Sequence, residues 1–211
     1  MVRDISIWNR IFRYNPAIMK VYFVRHAQTK ENEEVRLQGP LTGDFTKEGK
    51  KQLRRLKRRL EKINFDTIFS SDLRRCVETT KYLYKEARKV KYLSILREKN
   101  NGDFVGAKAK EIDWNKLAGT FETQKLPGGE SLEDVKKRVD KFLKLLRHQK
   151  EKNILVIGHG AFLKILLGRL LSFDLRRTIF GLHIDHCSIT TIEINKDSLE
   201  KILSINDTGH I

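Results

Sequence analysis

Short apolar runs rich in β-branched residues recur along the chain and predict β-strands. The runs are Lys20–Val24, Thr67–Ser70, Val90–Ile95, Ile154–Ile157, Ser188–Ile194 and Lys201–Ile205. The residues between the last two runs, Asn195-Lys196-Asp197-Ser198, are turn-forming types, so these two strands are predicted to form a hairpin. A hairpin pairs its strands antiparallel, and we expect that pairing at one edge of a sheet.

Between the strands, apolar residues recur at helical spacing. Predicted helices cover residues 46–61, 72–87, 131–147 and 161–171. Ser131 is the predicted N-cap of the third of these helices, with Asp134 as the acid of a capping box, and Asp72 is the predicted N-cap of the second. Strands and helices alternate, and this order predicts a three-layer α/β/α sandwich with a mainly parallel sheet and an antiparallel edge strand.

Length and composition are those of an ordinary globular protein. The chain has 211 residues, of which 39% are hydrophobic and 33% are charged, so we expect a single domain over residues 20–211 preceded by an N-terminal extension over residues 1–19. No run approaches the ~20 apolar residues of a membrane helix, and the first residues lack the apolar core of a secretory signal. We therefore expect a cytoplasmic protein with no membrane partner. The two cysteines cannot form a disulfide framework.

The net charge of +16 has two interpretations, because a basic surface attracts phosphorylated metabolites as well as nucleic acid. In the densest basic run, residues 50–60, Leu53, Leu56 and Leu60 recur at helical spacing. A solvated helix face therefore explains the basic residues between them. We favour a small anionic ligand over a nucleic-acid partner.

Polar residues directly follow several of the predicted strands. They are Arg25-His26, Ser70 to Arg75, Arg97-Glu98 and Gly158-His159-Gly160. Groups just beyond the carboxyl ends of parallel strands line the ligand crevice, so we expect His26 and His159 to converge on one site. The glycines beside His159 permit a sharp turn and close approach by a ligand.

Two arginines, two histidines and one carboxylate suit phosphoryl transfer. Arginine stays charged and grips two phosphoryl oxygens at once, and a neutral imidazole can attack phosphorus. Glu98 can protonate the departing oxygen. The helix predicted from Ala161 directs the positive end of its dipole toward the same place.

Five segments of the chain resemble, in family order, the motifs of the histidine phosphatase superfamily. The resemblance is to the branch that contains the cofactor-dependent phosphoglycerate mutases and many small phosphatases, and it runs from about Lys20 to Asn195. The segments are Val24 to Thr29 with Asn32 and Gln38-Gly39, Ser71 to Thr79, Leu96 to Glu98 with Gly102 and Gly106, Pro127 to Ser131, and Gly158-His159-Gly160.

The resemblance implies a phosphomonoester hydrolase that works through a covalent phosphohistidine. It implies His26 as the nucleophile and Glu98 as the proton donor. The phosphate pocket would comprise Arg25, Arg75 and His159, and the residues near the substrate would be Gly160, Asn32, Gln38 and Gly39. The motif's arginine aligns with Arg75, and Arg74 is expected on the helix surface. The resemblance implies no metal and no other cofactor, a small phosphorylated substrate as partner, and it leaves a homodimer open.

Three positions depart from the pattern of the family. Ala27 replaces the usual glycine, Gln28 the commoner glutamate and Gly158 the commoner serine. Each replacement is tolerable by size. We expect these departures to bear on substrate identity rather than on the chemistry.

Three alternatives remain beside this interpretation. A phosphoglycerate mutase is the nearest, but family mutases carry a longer connection than residues 107–126, so a phosphatase is favoured. A basic nucleic-acid-binding protein on a phosphatase scaffold is the distant alternative. His183 and His186 have a spacing that resembles metal ligands, but they lead straight into a strand without a second ligand cluster, which disfavours a metal site.

Overall fold

A sheet of six strands organises the parts of the chain that the structure describes, which in this computed structural model are residues 18–40, 43–85, 90–195 and 200–211. The strands are β1 (Met19–Arg25), β2 (Thr67–Ser70), β3 (Val90–Tyr92), β4 (Asn153–Gly158), β5 (Ile189–Ile194) and β6 (Glu200–Asp207). Their order across the sheet is β3-β2-β4-β1-β5-β6. Met19, placed at the end of the predicted extension, already belongs to β1; residues 1–17 lie outside the described ranges.

Most strands of the sheet run in the same direction. Strands β3, β2, β4 and β1 pair in parallel, whereas β5 pairs antiparallel with both β1 and β6. The predicted antiparallel pairing at one edge is confirmed, with the reversed strand β5 one position in from the edge strand β6. Most of the predicted hairpin turn, residues 196–198, lies outside the described residues.

Helices cover the sheet on both faces. They are α1 (Lys30–Glu33), α2 (Lys47–Leu60), α3 (Arg74–Leu83), α4 (Leu132–Arg147), α5 (Gly160–Leu170) and α6 (Leu175–Gly181). The capping box predicted at α4 is confirmed, since the Asp134 N–H donates to Ser131 Oγ at 3.1 Å and Asp134 accepts from the Ser131 N–H. The short helices α1 and α6 were not predicted.

Two predicted boundaries differ from the structure. Asp72 is not the N-cap of α3; Leu73 holds that position, because the Asp72 carboxylate instead binds Arg97 through two bonds of 2.7 and 2.6 Å. The strand predicted to reach Ile95 ends at Tyr92, and Ser94–Leu96 forms a 3₁₀ turn. Residues 86–89, which include the predicted end of α3 at Ala87, lie outside the described residues.

Side chains of alternating direction along the strands fill two separate cores. On β4, Ile154 and Val156 pack against α4 and α5, whereas Leu155 and Ile157 pack against α2 and α3. The predicted leucine stripe of α2 is buried in the second core, so its basic residues face water. These two cores give the predicted three-layer arrangement.

The pairing of β1 with β4 brings the two predicted catalytic segments together. In this parallel ladder Arg25 lies opposite Gly158, so His26 and His159 follow at neighbouring positions on the carboxyl edge of the sheet. The His26 N–H also donates to the Gly158 carbonyl at 3.0 Å. Residues from opposite halves of the chain are thereby held side by side.

Candidate active site

His26 and His159 form the centre of the site. Their ring centroids are 5.2 Å apart, and the residues are only 2% and 1% exposed. The structure therefore brings together the two imidazoles that the sequence predicted to converge.

Hydrogen bonding fixes which nitrogen of His26 is available for chemistry. Its Nδ1 lies 2.9 Å from the Ala27 carbonyl oxygen. A carbonyl only accepts, so Nδ1 must carry the proton and the neutral ring keeps an unprotonated Nε2. Burial, followed by the positive charge of Arg75, holds the pKa of His26 well below its usual value. The imidazole is therefore neutral near pH 7, as a nucleophile requires.

His159 is held by the turn that connects β2 to α3. Its Nε2 lies 2.8 Å from Ser71 Oγ and 3.4 Å from Cys76 Sγ. Burial, followed by the charge of Arg75, also holds the pKa of His159 well below its usual value. Ser71 and Cys76 were predicted only as parts of a motif, because nothing in their spacing indicates contact with a residue so distant in the chain.

Two arginines lie near the histidines, Arg75 buried and Arg25 partly buried. Arg75, 2% exposed, donates from one terminal nitrogen to the Gly39 carbonyl at 3.0 Å, and Arg25 likewise donates to the Ile184 carbonyl at 2.6 Å. Burial lowers the pKa of both, but a guanidinium stays charged in proteins. In both arginines the Nε atom is buried and has no hydrogen-bond partner among the described residues.

Such unpartnered donors fit an anion. A buried N–H without an acceptor is costly, and a phosphoryl oxygen would satisfy it with a charge-assisted bond. A Cβ added at Gly160 would lie 3.3 Å from Arg25 Nε, so the missing side chain leaves this donor accessible. The site can thus bind a phosphate group between two fixed positive charges.

Glu98 lies at the N-terminus of α5. Its carboxylate accepts hydrogen bonds from the backbone N–H groups of Ala161 and Phe162, at 3.1 and 3.2 Å, and from its neighbour Lys99 at 3.1 Å. The neighbouring Arg97 side chain binds Asp72 through two hydrogen bonds. Glu98 borders a pocket of about 270 Å³, hereafter the Glu98 pocket, which Gln38 and Gly39 also line. Of the predicted phosphate-binding residues, Arg75 lines this pocket, whereas Arg25 and His159 do not.

Arg138 of α4 fixes the segment that carries Glu98. Its guanidinium donates to the carbonyls of Ile95 and Arg97 at 2.9 and 2.8 Å and forms two bonds of 2.9 and 2.8 Å with the Glu130 carboxylate. Glu130 in turn accepts from the Asn100 N–H at 2.9 Å. Glu130 was predicted only as part of a motif, and Arg138 was not predicted, because the sequence does not distinguish a charged helix residue that faces water from one that binds backbone.

Comparison with known proteins agrees with this geometry. The model of the histidine phosphatase superfamily, branch 1, matches residues 21–208. The chain belongs to the histidine phosphatase superfamily. This match confirms the family that the motifs predicted, which is a family of enzymes.

Relatives of this histidine phosphatase carry different names. Phosphoserine phosphatase 1 of Hydrogenobacter thermophilus is 28% identical over 206 residues, which cover 92% of this chain and 95% of that protein. A protein of Escherichia coli O1:K1 named "Probable phosphoglycerate mutase GpmB" is 28% identical over 188 residues, covering 83% and 85%. The crystal structure of a phosphoserine phosphatase mutant from Entamoeba histolytica in complex with phosphoserine has a TM-score of 0.78 at 23% identity, covering 92% and 99%, and shows the shared fold.

The remaining predicted substrate residues of this histidine phosphatase differ in their placement. Gln38 lines the Glu98 pocket and donates to Thr29 Oγ, while the carbonyl of Gly39 accepts from Arg75. Asn32 lies in α1, where its side-chain oxygen accepts from the backbone N–H of Thr29 at 3.2 Å as part of a capping box. Its observed bonds are therefore those of a helix cap.

The three departures from the family pattern do not crowd the histidines. Ala27 is fully buried in the core beneath α2 and α3. The Gln28 side chain accepts from the hydroxyl of Thr46, the N-cap of α2, at 2.7 Å. A Cβ added at Gly158 would meet nothing within 4 Å, so a serine would fit there.

A third histidine, His186, lies near the site; the sequence indicated it only as a disfavoured metal ligand. His186 donates from Nδ1 to the His26 carbonyl at 3.1 Å, and the two rings are 5.3 Å apart. Burial lowers its pKa to about 3. His183 is exposed and pairs with Asp185 at 2.9 Å.

Within the described ranges no three His, Cys, Asp or Glu side chains are grouped to hold a metal ion. None of the helices in those ranges is long and apolar enough to cross a membrane.

Proposed function

We propose that this histidine phosphatase hydrolyses small phosphomonoesters through a phosphorylated His26. The proposal rests mainly on one observation, a neutral His26 ring within the field of two arginines whose buried Nε donors lack a partner among the described residues. A phosphoryl group in transfer carries negative charge on its oxygens, and fixed positive charge stabilises it without reorganisation.

In the first half-reaction, Nε2 of His26 attacks phosphorus. The N–P bond forms while the ester P–O bond breaks. Arg25 and Arg75 bind the phosphoryl oxygens through their Nε donors, and His159 contacts the same group from the neighbouring strand end. The leaving alkoxide takes a proton from the Glu98 carboxyl and departs as an alcohol.

In the second half-reaction, water attacks the phosphorus of phosphohistidine. The N–P bond breaks, its electron pair returns to Nε2, and the proton of the attacking water passes to the Glu98 carboxylate. Inorganic phosphate then leaves. Each half-reaction thus uses Glu98 in the opposite sense, first as acid and then as base.

Trapping the intermediate tests the proposal. The enzyme is mixed with a ³²P-labelled phosphomonoester such as phosphoserine or phenyl phosphate and quenched in alkaline detergent, which preserves phosphohistidine. We expect label on the wild type and none on His26→Ala. His148→Ala, which removes an exposed histidine at the end of α4, is the matched control and should retain the label. Label that persists in His26→Ala would refute the assignment.

A phosphoglycerate mutase is the second candidate, because some relatives carry that name. A mutase must keep water from the phosphohistidine and return the phosphoryl group to its substrate. The connection over residues 107–126, short for a mutase, favours hydrolysis. Incubation with 3-phosphoglycerate, with and without 2,3-bisphosphoglycerate, distinguishes the two. We expect free phosphate to appear faster than the 2-phospho isomer; the reverse would favour the mutase.

The proposed partner is a small phosphorylated substrate, and a second copy of the chain is the alternative macromolecular partner. Sedimentation of the purified protein over a range of concentrations measures that association directly.

A further inference from the structure

A second, larger pocket of about 480 Å³ lies beside the Glu98 pocket. Its walls are mostly apolar side chains. They are Trp114, Phe121, Leu132, Ile179 and Phe180, with Lys99, Asn101 and Gln124. We call this space the apolar pocket.

The two pockets share a wall. Lys99 lines both of them, and it follows Glu98 directly in the chain. A molecule whose phosphate is bound by Arg75 therefore has the apolar pocket next to it, across Lys99. Since Glu98 is the proposed donor to the leaving oxygen, the leaving group departs toward this side.

Aromatic rings line the pocket without being covered by protein. Phe180 of α6 is 72% exposed and Trp114 is 40% exposed. The rings of Phe121 and Phe180 are 5.5 Å apart, and the guanidinium of Arg176 lies 4.8 Å from the Phe121 ring centre. Scattered exposed apolar side chains are ordinary, but several aromatic rings converging on one cavity indicate a binding surface.

Hydrogen bonds from side chains to backbone carbonyls hold the Trp114 part of this wall in place. The Gln124 side chain donates to the carbonyls of Trp114 and Leu117, at 3.3 and 3.2 Å. The indole N–H of Trp114 donates to the Ala109 carbonyl at 3.4 Å. Trp114 is therefore held in place before a ligand binds, which reduces the entropy lost on binding.

We propose that the apolar pocket binds the alcohol portion of the substrate, and that this portion is apolar, an alkyl or aryl group rather than a small charged one. The proposal rests on the phosphatase function proposed above. A small charged leaving group such as serine would leave the aromatic wall in water, whereas an apolar group would cover it. The short connection over residues 107–126, which supplies Trp114, Phe121 and Gln124, acquires a role in selecting the substrate.

A series of n-alkyl phosphates from ethyl to hexyl tests the proposal, because leaving-group basicity hardly changes along it. We expect kcat/KM to rise with chain length, by about fourfold for each methylene that becomes buried. Phe180→Ala and Trp114→Ala should each reduce the hexyl-to-ethyl ratio of kcat/KM by about tenfold. The matched control is Tyr82→Ala, which removes a half-exposed aromatic ring of α3 that lines neither pocket and should keep the wild-type ratio.

A binding measurement separates this proposal from the catalytic one. With Trp8 replaced by Phe, Trp114 is the remaining tryptophan, and its fluorescence reports on ligands in the apolar pocket. Hexylphosphonate should change the fluorescence and bind at least tenfold more tightly than methylphosphonate, even in His26→Ala.

The outcomes are distinguishable. If alkyl phosphates of all chain lengths are hydrolysed at equal kcat/KM and the phosphonates bind with equal affinity, the phosphatase proposal is retained and the proposed role of the apolar pocket is wrong. Loss of a dimer in Phe180→Ala with an unchanged hexyl-to-ethyl ratio would show instead that a second copy covers the rings. Tight hexylphosphonate binding without any phosphohistidine would overturn the catalytic proposal and leave the pocket.

Discussion

The carboxylate of Glu98 accepts a hydrogen bond from the backbone N–H of Ala161, with 3.1 Å between Oε2 and N. Ala161 lies in the first turn of α5, whose N-cap is His159. The proposed acid is thus also a side-chain cap of the helix that follows the second histidine. Any test of its chemistry must keep that structural bond.

Glu98→Gln is the variant that separates the two roles, because an amide oxygen still accepts from α5 but the side chain no longer delivers a proton. We expect it to lower kcat/KM for alkyl phosphates by about a hundred- to ten-thousand-fold. Hydrolysis of p-nitrophenyl phosphate, whose phenolate leaves without help, should fall far less. Steady-state kinetics with both substrates measure the contrast.

Glu98→Ala is the companion variant and should also lower thermal stability, since losing a helix cap costs about 1 kcal/mol. Equal slowing of alkyl and nitrophenyl substrates in Glu98→Gln would show that Glu98 contributes to binding only. His159 would then be the next candidate for the proton donor.

Arg75 and Arg74 are adjacent in the chain and provide a test position and a control position for phosphate binding. Arg75 is buried with a free Nε donor, whereas Arg74 is exposed and pairs with Asp44 at 2.9 Å. Arg75→Lys keeps a positive charge but loses the planar fork, and we expect kcat to fall by about 10²- to 10³-fold. Arg74→Lys should stay within about twofold of wild type, because exposed ion pairs contribute little. Similar losses in both variants would argue against a specific phosphate contact.

Stability should depend on pH through the buried histidines. Folding lowers the pKa of His26, His159 and His186, in the last case to about 3, from the ~6.5 of an unfolded chain. Above a pH of ~6.5 these neutral histidines make their full contribution to stability. As the pH falls below ~6.5, the unfolded state binds protons before the folded state does, so this contribution decreases until the pH reaches the pKa of the folded protein. For each pH unit that the pH falls in this range, each histidine should lower the free energy of unfolding by up to about 1.4 kcal/mol.

Urea denaturation between pH 7.5 and 4.5 measures this slope. His186→Gln should make it shallower by about the contribution of one histidine, whereas His148→Gln, at an exposed position, should leave it unchanged. A slope that His186→Gln does not alter would mean that folding does not lower the pKa of His186.

Activity should survive exhaustive chelation. The proposed route takes its positive charge from Arg25 and Arg75 and its nucleophile from His26, so it requires no metal-bound water. Dialysis against a strong chelator, followed by assay with and without added divalent ions, provides the measurement. Loss of activity that a divalent ion restores would direct attention to His183 and His186.

The sequence predicted the elements that depend on local pattern. Strand runs, the leucine stripe of α2 and the capping box of Ser131 all follow from the identities of nearby residues, and the structure confirms them. The convergence of His26 and His159 was also predictable, because parallel strands place their carboxyl ends at one edge.

Features that depend on contacts between distant segments could not be predicted in this way. Asp72 is a residue type that is common at N-caps, but its carboxylate binds Arg97 instead of the helix. Arg138 and His186 make their decisive bonds to backbone carbonyls, and a sequence carries no signal for those partners. The apolar pocket likewise needs α6, a short helix that was not predicted.

The parallel ladder between β1 and β4 also determines when the site comes into existence. Neither strand alone carries both imidazoles, and joining them closes a loop that includes most of the chain. An amino-terminal fragment released early in synthesis would contain His26 and Arg75 but no site. Appearance of phosphohistidine is therefore a chemical reporter of completed folding, and we expect refolding followed by this signal to lag behind the recovery of helical circular dichroism.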